Sequence, residues 1–312
     1  TTEGKGATLK VSYVPVRHWQ NNLEWSYLDD QLDINDFGYQ ERNNVSTLTI
    51  DSQYDDYQIS KESPVLRTRA YVRYNGKRNT QGLHLQDTWY ASYFVRLKSR
   101  HNFRGGINYR VKGFDDLITR QTGHVELADQ KDFHLYYGSP TPASFSFTTT
   151  YHYFQEGVSD WAQKLLLNTR TYFTDGIRLD LNYAYIDSDD WLIGSSEGQV
   201  QRYSRRMNKV YAKLVSKIDD LSDFTLTTQW YGLKAFGREV YDDQFVKGSD
   251  FNVSRFSLQA RYRKKFDSGS SFYLVYVHNG FDSNETNDIG FGDMMSNAIA
   301  NPQQKRITAK FN

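Results

Sequence analysis

Apolar and polar residues alternate one by one along most of this chain. Over residues 254–280, Phe256, Leu258, Ala260 and Tyr262 alternate with Ser257, Gln259, Arg261 and Arg263. This period of two gives a β-strand one apolar and one charged face. A turn at 267–270 follows, and Phe272, Leu274 and Tyr276 then resume the apolar register, so the segment reads as a hairpin. The same unit recurs from Ala7, Leu9, Val11 and Tyr13 through to Ile307, Ala309 and Phe311. Intermediate strands are expected near 19–27, 44–56, 64–75, 83–98, 103–112, 132–138, 144–155, 160–173, 177–187, 205–217 and 224–236. About fifteen strands result.

The connections carry a second pattern. Those after odd-numbered strands are short or moderate. Those after even-numbered strands are mostly long, as at 30–43, 113–131 and 282–304, with the eighth as the exception. Strands of ten or more residues, with short turns on one rim and long loops on the other, are the pattern of an antiparallel transmembrane β-barrel. A soluble propeller or sandwich accounts for the alternation but not for strand length or loop asymmetry. Bacterial barrels of one chain have an even strand count. The expectation is therefore about sixteen strands, fifteen visible and one preceding Thr1, with residues 1–312 forming the barrel domain of a longer chain.

Composition narrows the picture. Aromatic residues make up 16% of the 312, with 24 Tyr, 19 Phe and 6 Trp, yet mean hydropathy is −0.73. Strands with one greasy and one wet face combine these traits. No apolar run approaches the roughly 20 residues of a membrane helix. A net charge of +1 offers no broad basic surface for nucleic acid, and the absence of cysteine excludes disulfides and thiolate metal sites.

Two segments carry a resemblance. Asp33-Ile-Asn-Asp-Phe-Gly-Tyr-Gln-Glu-Arg42-Asn43, and Leu258-Gln-Ala-Arg-Tyr-Arg263 with Ser268-Gly-Ser270 and Leu274-Val-Tyr276, resemble the C-terminal region of large bacterial proteins known only as a domain of unknown function. The resemblance implies an outer-membrane barrel that follows a carbohydrate-binding-module-like β-sandwich. Asp267 departs from the Pro common before Gly-Ser in that family, and Lys310-Phe311-Asn312 departs from an expected terminal aromatic. It implies an envelope location, in the outer membrane of a Gram-negative bacterium, and supplies no activity or catalytic residues.

Parity assigns a basic set to the barrel's inner face: Arg67, Arg69, Arg73, Arg96, Arg104, Arg110, Arg170, Arg178, Arg261 and Arg263, against few inward acids such as Glu24, Asp51 and Asp180. A sixteen-stranded barrel is wide enough for water, and such a lining favours anionic or saccharide-like solutes. The expected function is a channel, or the membrane-spanning part of a translocation assembly, in contact with outer-membrane lipid. The alternative is a plugged barrel, its charges neutralised by a loop folded inside, that anchors a periplasmic domain or partner.

Other chemistry is thin. His84, His134 and His152 share inward parity, with Ser92, Ser144 and Ser146 on strands nearby, but no spacing defines a nucleophile and base, so a surface lipid or glycan hydrolase ranks lower and no enzyme activity is expected. The acidic stretches Asp187-Ser-Asp189-Asp190 and Asp282-Ser-Asn284-Glu285-Thr-Asn287-Asp288 are expected in loops and offer oxygen ligands for Ca²⁺, but they lack the glycine of an EF-hand, so solvated loop acids are the favoured reading. No metal or cofactor is expected. Interfacial girdles explain most tryptophans. Trp191, expected in a loop beside acids, remains a carbohydrate-contact candidate. Asp87 falls on the apolar parity between Leu85 and Trp89, at an interface or a bulge.

Overall fold

A computed structural model describes residues 4–32, 42–119, 123–141, 144–195, 199–240 and 245–312. Most of the 33–43 segment and Pro142 of the expected turn lie outside these residues. The chain forms β1 (Gly6–Val16), β2 (Trp19–Leu28), β3 (Val45–Asp56), β4 (Val65–Arg78), β5 (Thr88–Leu97), β6 (Asn102–Arg110), β7 (Gly113–Asp115), β8 (Val125–Leu127) and β9 (Gln130–Gly138). There follow β10 (Phe145–Glu156), β11 (Asp160–Thr174), β12 (Ile177–Gly194), β13 (Val200–Lys217), β14 (Ser222–Gly237), β15 (Phe245–Lys247), β16 (Phe251–Lys265), β17 (Ser271–Asn284), the helix α1 (Phe291–Ala300) and β18 (Pro302–Phe311).

One sheet of sixteen strands dominates. Fifteen of them follow one another as an antiparallel meander, interrupted where β7 and β8 pair with each other, where β15 lies parallel to β13, and where α1 stands between β17 and β18. The number of meander strands agrees with the alternation in the sequence. The sheet is open: β1 pairs with β2 and β18 with β17, and these edges do not meet. On one end the connections are 17–18, 57–64, 98–101, 139–144, 175–176, 218–221 and 266–270. On the other they are 29–44, 79–87, 111–129, 157–159, 195–199, 238–250 and 285–301. The longest connections thus gather at one rim, with 157–159 as the expected exception and 195–199 as an unexpected one, because β12 and β13 extend into the loop expected between residues 187 and 205.

Residues directly opposite in an antiparallel pair share a face, and the register keeps the two faces separate from strand to strand. Asp51 opposes Arg73, Arg73 opposes Tyr90, Tyr90 opposes Asn108 and Asn108 opposes Asp132. One step along, Ile50 opposes Tyr74, Tyr74 opposes Trp89 and Trp89 opposes Tyr109. The first row is polar and the second apolar. The apolar face is largely uncovered: Leu135 is 67% exposed, Tyr93 53% and Ile107 49%. Apolar burial concentrates instead at the long-connection rim, where Val125, Leu127, Val200 and Phe245 pack with Ile118, Val158, Leu192 and Val240.

Three local expectations change. Strand β5 begins at Thr88, not 83, and Asp87 just before it is a buried hydrogen-bond acceptor for the Tyr74 hydroxyl (2.9 Å) and the Lys77 backbone N–H (3.2 Å). The acids at 187–190 lie within β12, which with β13 projects beyond its neighbours, and Asp282 lies within β17. Finally, 282–304 contains α1. Its Met294 and Ala298, one turn apart, are fully buried against the apolar face of the sheet. Phe291 meets Trp230 edge to face at 6.1 Å.

Gly280 lets that helix seat: a Cβ there would lie 1.7 Å from the Ala298 carbonyl oxygen, whereas one on Gly292 would meet nothing within 4 Å. Gly280→Ala is expected to destabilise by about 1–3 kcal/mol through overpacking and to expose 285–301 to proteolysis. Gly292→Ala is expected to stabilise by up to about 1 kcal/mol. Unfolding midpoints and limited proteolysis of the two variants check this.

Candidate functional site: the polar face of the sheet

The register places the ten parity-assigned arginines on one face and sorts them by height. Arg67 and Arg69 follow connection 57–64, Arg96 and Arg104 flank 98–101, Arg170 and Arg178 flank 175–176, and Arg261 and Arg263 precede 266–270. Eight of the ten therefore form a belt at the short-connection end. Arg73 lies mid-strand over the Tyr71 ring at 5.3 Å, and Arg110, at the opposite end, donates to Gln130 Oε1 at 2.8 Å.

Three aspartates, on β3, β12 and β14, partly neutralise the belt, each serving two arginines. Asp55 takes Arg67 Nε at 2.7 Å and Arg69 Nη2 at 2.8 Å. Asp180 takes Arg170 Nε at 2.6 Å and pairs with Arg178 at 3.1 Å. Asp223 takes Arg263 Nε at 2.6 Å, with Arg261 at 3.9 Å. The sequence marked only Asp180 of these as inward. Asp55 and Asp223 sit at strand ends, where parity without register is weakest evidence.

Among the described residues, Arg96 and Arg104 have no such carboxylate. Arg96 lies directly opposite Arg67, its Nε buried without a hydrogen-bond partner, and Arg104 lies over the Phe94 ring at 5.7 Å. Like charges directly opposed are unfavourable. Two polar hollows adjoin the belt: one of about 460 Å³ includes Arg170, Arg178, Asp180 and Lys213, and one of about 300 Å³ includes Lys213, Asp223, Arg261, Arg263 and Lys265. With its surplus positive charge and fixed guanidinium donors, this end is suited to carboxylate, sulfate or phosphate oxygens.

The long-connection rim is tied by a different set. Asp190 is fully buried where the β12–β13 register shifts, accepting from Arg202 Nε at 2.5 Å and from the Val158 backbone N–H at 2.7 Å. Asp160 joins Arg202 (3.2 Å) and Arg238 (2.6 Å). Asp190 is thus a buried clamp and not a solvated loop charge, whereas Asp189 beside it stays exposed. Trp191 is in β12, and Arg205 sits 4.7 Å from its ring centre while also binding Glu156 at 2.8 Å. One face of this ring is therefore already occupied.

The histidines separate. His84 pairs with Asp87 at the rim, 3.1 Å away, whereas His134 and His152 are neighbours on β9 and β10. Ser92 faces Gly106 and Ser146 faces Arg170, so the register brings neither serine opposite an imidazole. Asp132, which the sequence reading passed over, lies two residues before His134 and 3.3 Å from His152.

The family described as "Domain of unknown function (DUF5916)" has a model that matches residues 1–312. No curated protein matches the chain.

Two predictions follow from the charge arrangement. Asp180→Asn removes the shared acceptor of Arg170 and Arg178 and is expected to cost about 1–2 kcal/mol. Arg96→Gln, which removes an unpaired like charge beside Arg67, is expected to be neutral or stabilising. Urea midpoints compare them. At the rim, burial pushes the Asp87 carboxyl up, but hydrogen bonds from Tyr74, His84, the Lys77 backbone and Arg78 outweigh it and hold it below the usual carboxylate value. Its stabilisation is thus complete above the unfolded value of about 3.9 and is lost as pH falls through the lowered folded value. Thermal melts of Asp87→Asn are expected to lie below wild type at pH 7 and to converge with it in strong acid.

Proposed function

The chain belongs to this family of unknown function, and from that premise we propose that it is an outer-membrane β-barrel whose polar face lines a water-filled lumen. The barrel acts as a channel, or as the membrane-spanning part of a translocation assembly, for anionic or saccharide-like solutes. The observation that carries this reading is the belt of eight arginines against three aspartates on one face, while the opposite face presents large exposed apolar side chains.

Several features support the membrane setting. An uncovered apolar face of this extent has its natural solvent in lipid. The ends of the fifteen-stranded meander run parallel to each other, so a single further strand, antiparallel to both β1 and β18, completes a barrel of sixteen. Such closure satisfies the open backbone edges, as a hydrocarbon environment demands. The short-connection rim is then periplasmic and the long-connection rim extracellular. Solute passes the belt by diffusion through its positive field, with no turnover. The envelope sandwich domain implied by the sequence resemblance is the partner on the periplasmic side.

The knitted outer rim favours a second reading, in which the barrel is closed by its own loops and serves as an anchor or interaction module. The Asp190–Arg202 clamp and the Val125, Leu127, Val200, Phe245 cluster hold those loops together.

Planar-bilayer recording separates these readings. A channel gives steady current with a reversal potential favouring chloride over potassium, and Arg261→Gln with Arg263→Gln moves that preference several-fold toward the cation. A silent barrel supports the anchor, and cation preference in the wild type contradicts the role of the belt.

A further inference from the structure

At mid-height the polar face carries a cluster that the arginine belt does not use. Asp132 and His134 alternate on β9, and His152 lies directly opposite His134 on β10, so all three side chains leave the same face. One candidate ligand atom from each lies within 4.8 Å of the other two. The imidazoles stack at 5.4 Å with 27° between their planes.

The neighbouring strands build a seat for this cluster. Gly106 lies opposite His134 on β6, and a Cβ there would be 2.3 Å from His134 Cε1; the imidazole occupies space that no other residue type leaves free. Tyr90 on β5 stacks on the same ring with 3° between planes, its hydroxyl 3.4 Å from Nε2. Asn108, opposite both Tyr90 and Asp132, holds a buried side-chain oxygen with no hydrogen-bond partner among the described residues. That oxygen is an unused acceptor beside the three ligand-type side chains.

We propose that Asp132, His134 and His152 form a binding site for a divalent transition-metal ion of the Zn²⁺, Cu²⁺ or Ni²⁺ class, with Asn108 Oδ1 as a fourth donor. Two imidazole nitrogens and one carboxylate suit these borderline ions, whereas Ca²⁺ and Mg²⁺ prefer oxygen ligands throughout. Metal–ligand bonds of about 2.0–2.2 Å bring tetrahedral ligand atoms to about 3.3 Å from one another. The contraction needed is small enough for side-chain torsions, because the β9–β10 register already fixes His134 opposite His152. Lys164, opposite His152, and Arg104, two residues from Gly106, bring positive charge nearby. The site accordingly binds less tightly than a closed structural zinc centre and exchanges its ion.

The test uses the full chain folded in detergent micelles, with circular dichroism as the fold control. Calorimetric titration with Zn²⁺ is expected to give one saturable equivalent. Cu²⁺ bound at the site is expected to show, by electron paramagnetic resonance, coupling to two imidazole nitrogens. His134→Gln and His152→Gln each weaken Zn²⁺ binding by about tenfold or more, and Gly106→Ala, which displaces the His134 ring without removing a ligand, does so by about tenfold. If a variant fails to fold, the wild-type Cu²⁺ spectrum decides. The absence of saturable binding, a spectrum with a single nitrogen, or unchanged affinity in the His134→Gln, His152→Gln pair overturns the proposal. The last result places the ion on His18, His84, His101, His124 or His278.

Discussion

The antiparallel register is the constraint on which the rest of this structure depends. Side chains leave a strand on alternate faces, so slipping any one pairing by a single residue would carry its arginines to the apolar side and its aromatics to the polar side. Such a slip is resisted by the side chains on both faces together. On one face, Asp55, Asp180 and Asp223 bond across strands to arginines of matching height. On the other, Tyr74 packs on Trp89 and Tyr153 on Trp161 at 4.7 and 4.3 Å between ring centres. The small hydrophobic cluster at the long-connection rim cannot do this alone. The fold is held along the wall, with backbone ladders and cross-strand pairs, more than by a central core.

The same register explains how charge is distributed. Eight arginines at one end would repel one another strongly if unpaired, and full neutralisation would leave that end without a net field. One aspartate per two arginines, repeated at three places, lies between these extremes. Arg96 and Arg104 are left outside the scheme, and the unpartnered Nε of Arg96 marks where the positive field is least compensated. At the opposite rim, Asp190, Asp160 and Glu156 pair with Arg202, Arg238 and Arg205, and charge serves cohesion of the loops. The two ends of one sheet therefore use similar residues for different tasks.

Much of this was legible in the sequence because a period of two survives in any strand, whatever its neighbours. The strand number, the division of faces at Phe256 through Arg263, and the basic face follow from that period alone. Features set by long-range pairing were not legible. Asp187, Asp189 and Asp190 read as loop residues by composition, and the partners that hold this segment in β12, the facing strand β13 with Arg202 and the Val158 N–H, are distant in sequence. Helix α1 is short, and its two buried residues need Gly280 opposite Ala298 to reach the sheet. The Asp132, His134 and His152 cluster joins two strands, and its seat adds Gly106, Asn108 and Tyr90 from two more. No linear motif records such an arrangement. Asp87 looked like an exception to parity and is instead the residue before the strand starts.

The account rests on the apolar face meeting lipid while the polar face meets water. The chain has no cysteine, so single cysteines can be introduced for spin labels without removing any. Labels at Ile107 and Leu135 on one face, and at Asn168 and Gln259 on the other, report collision with oxygen dissolved in lipid and with a water-soluble nickel complex in reconstituted bilayers. The account predicts high oxygen and low nickel accessibility for the first pair and the reverse for the second. Nickel accessibility on both faces would contradict it.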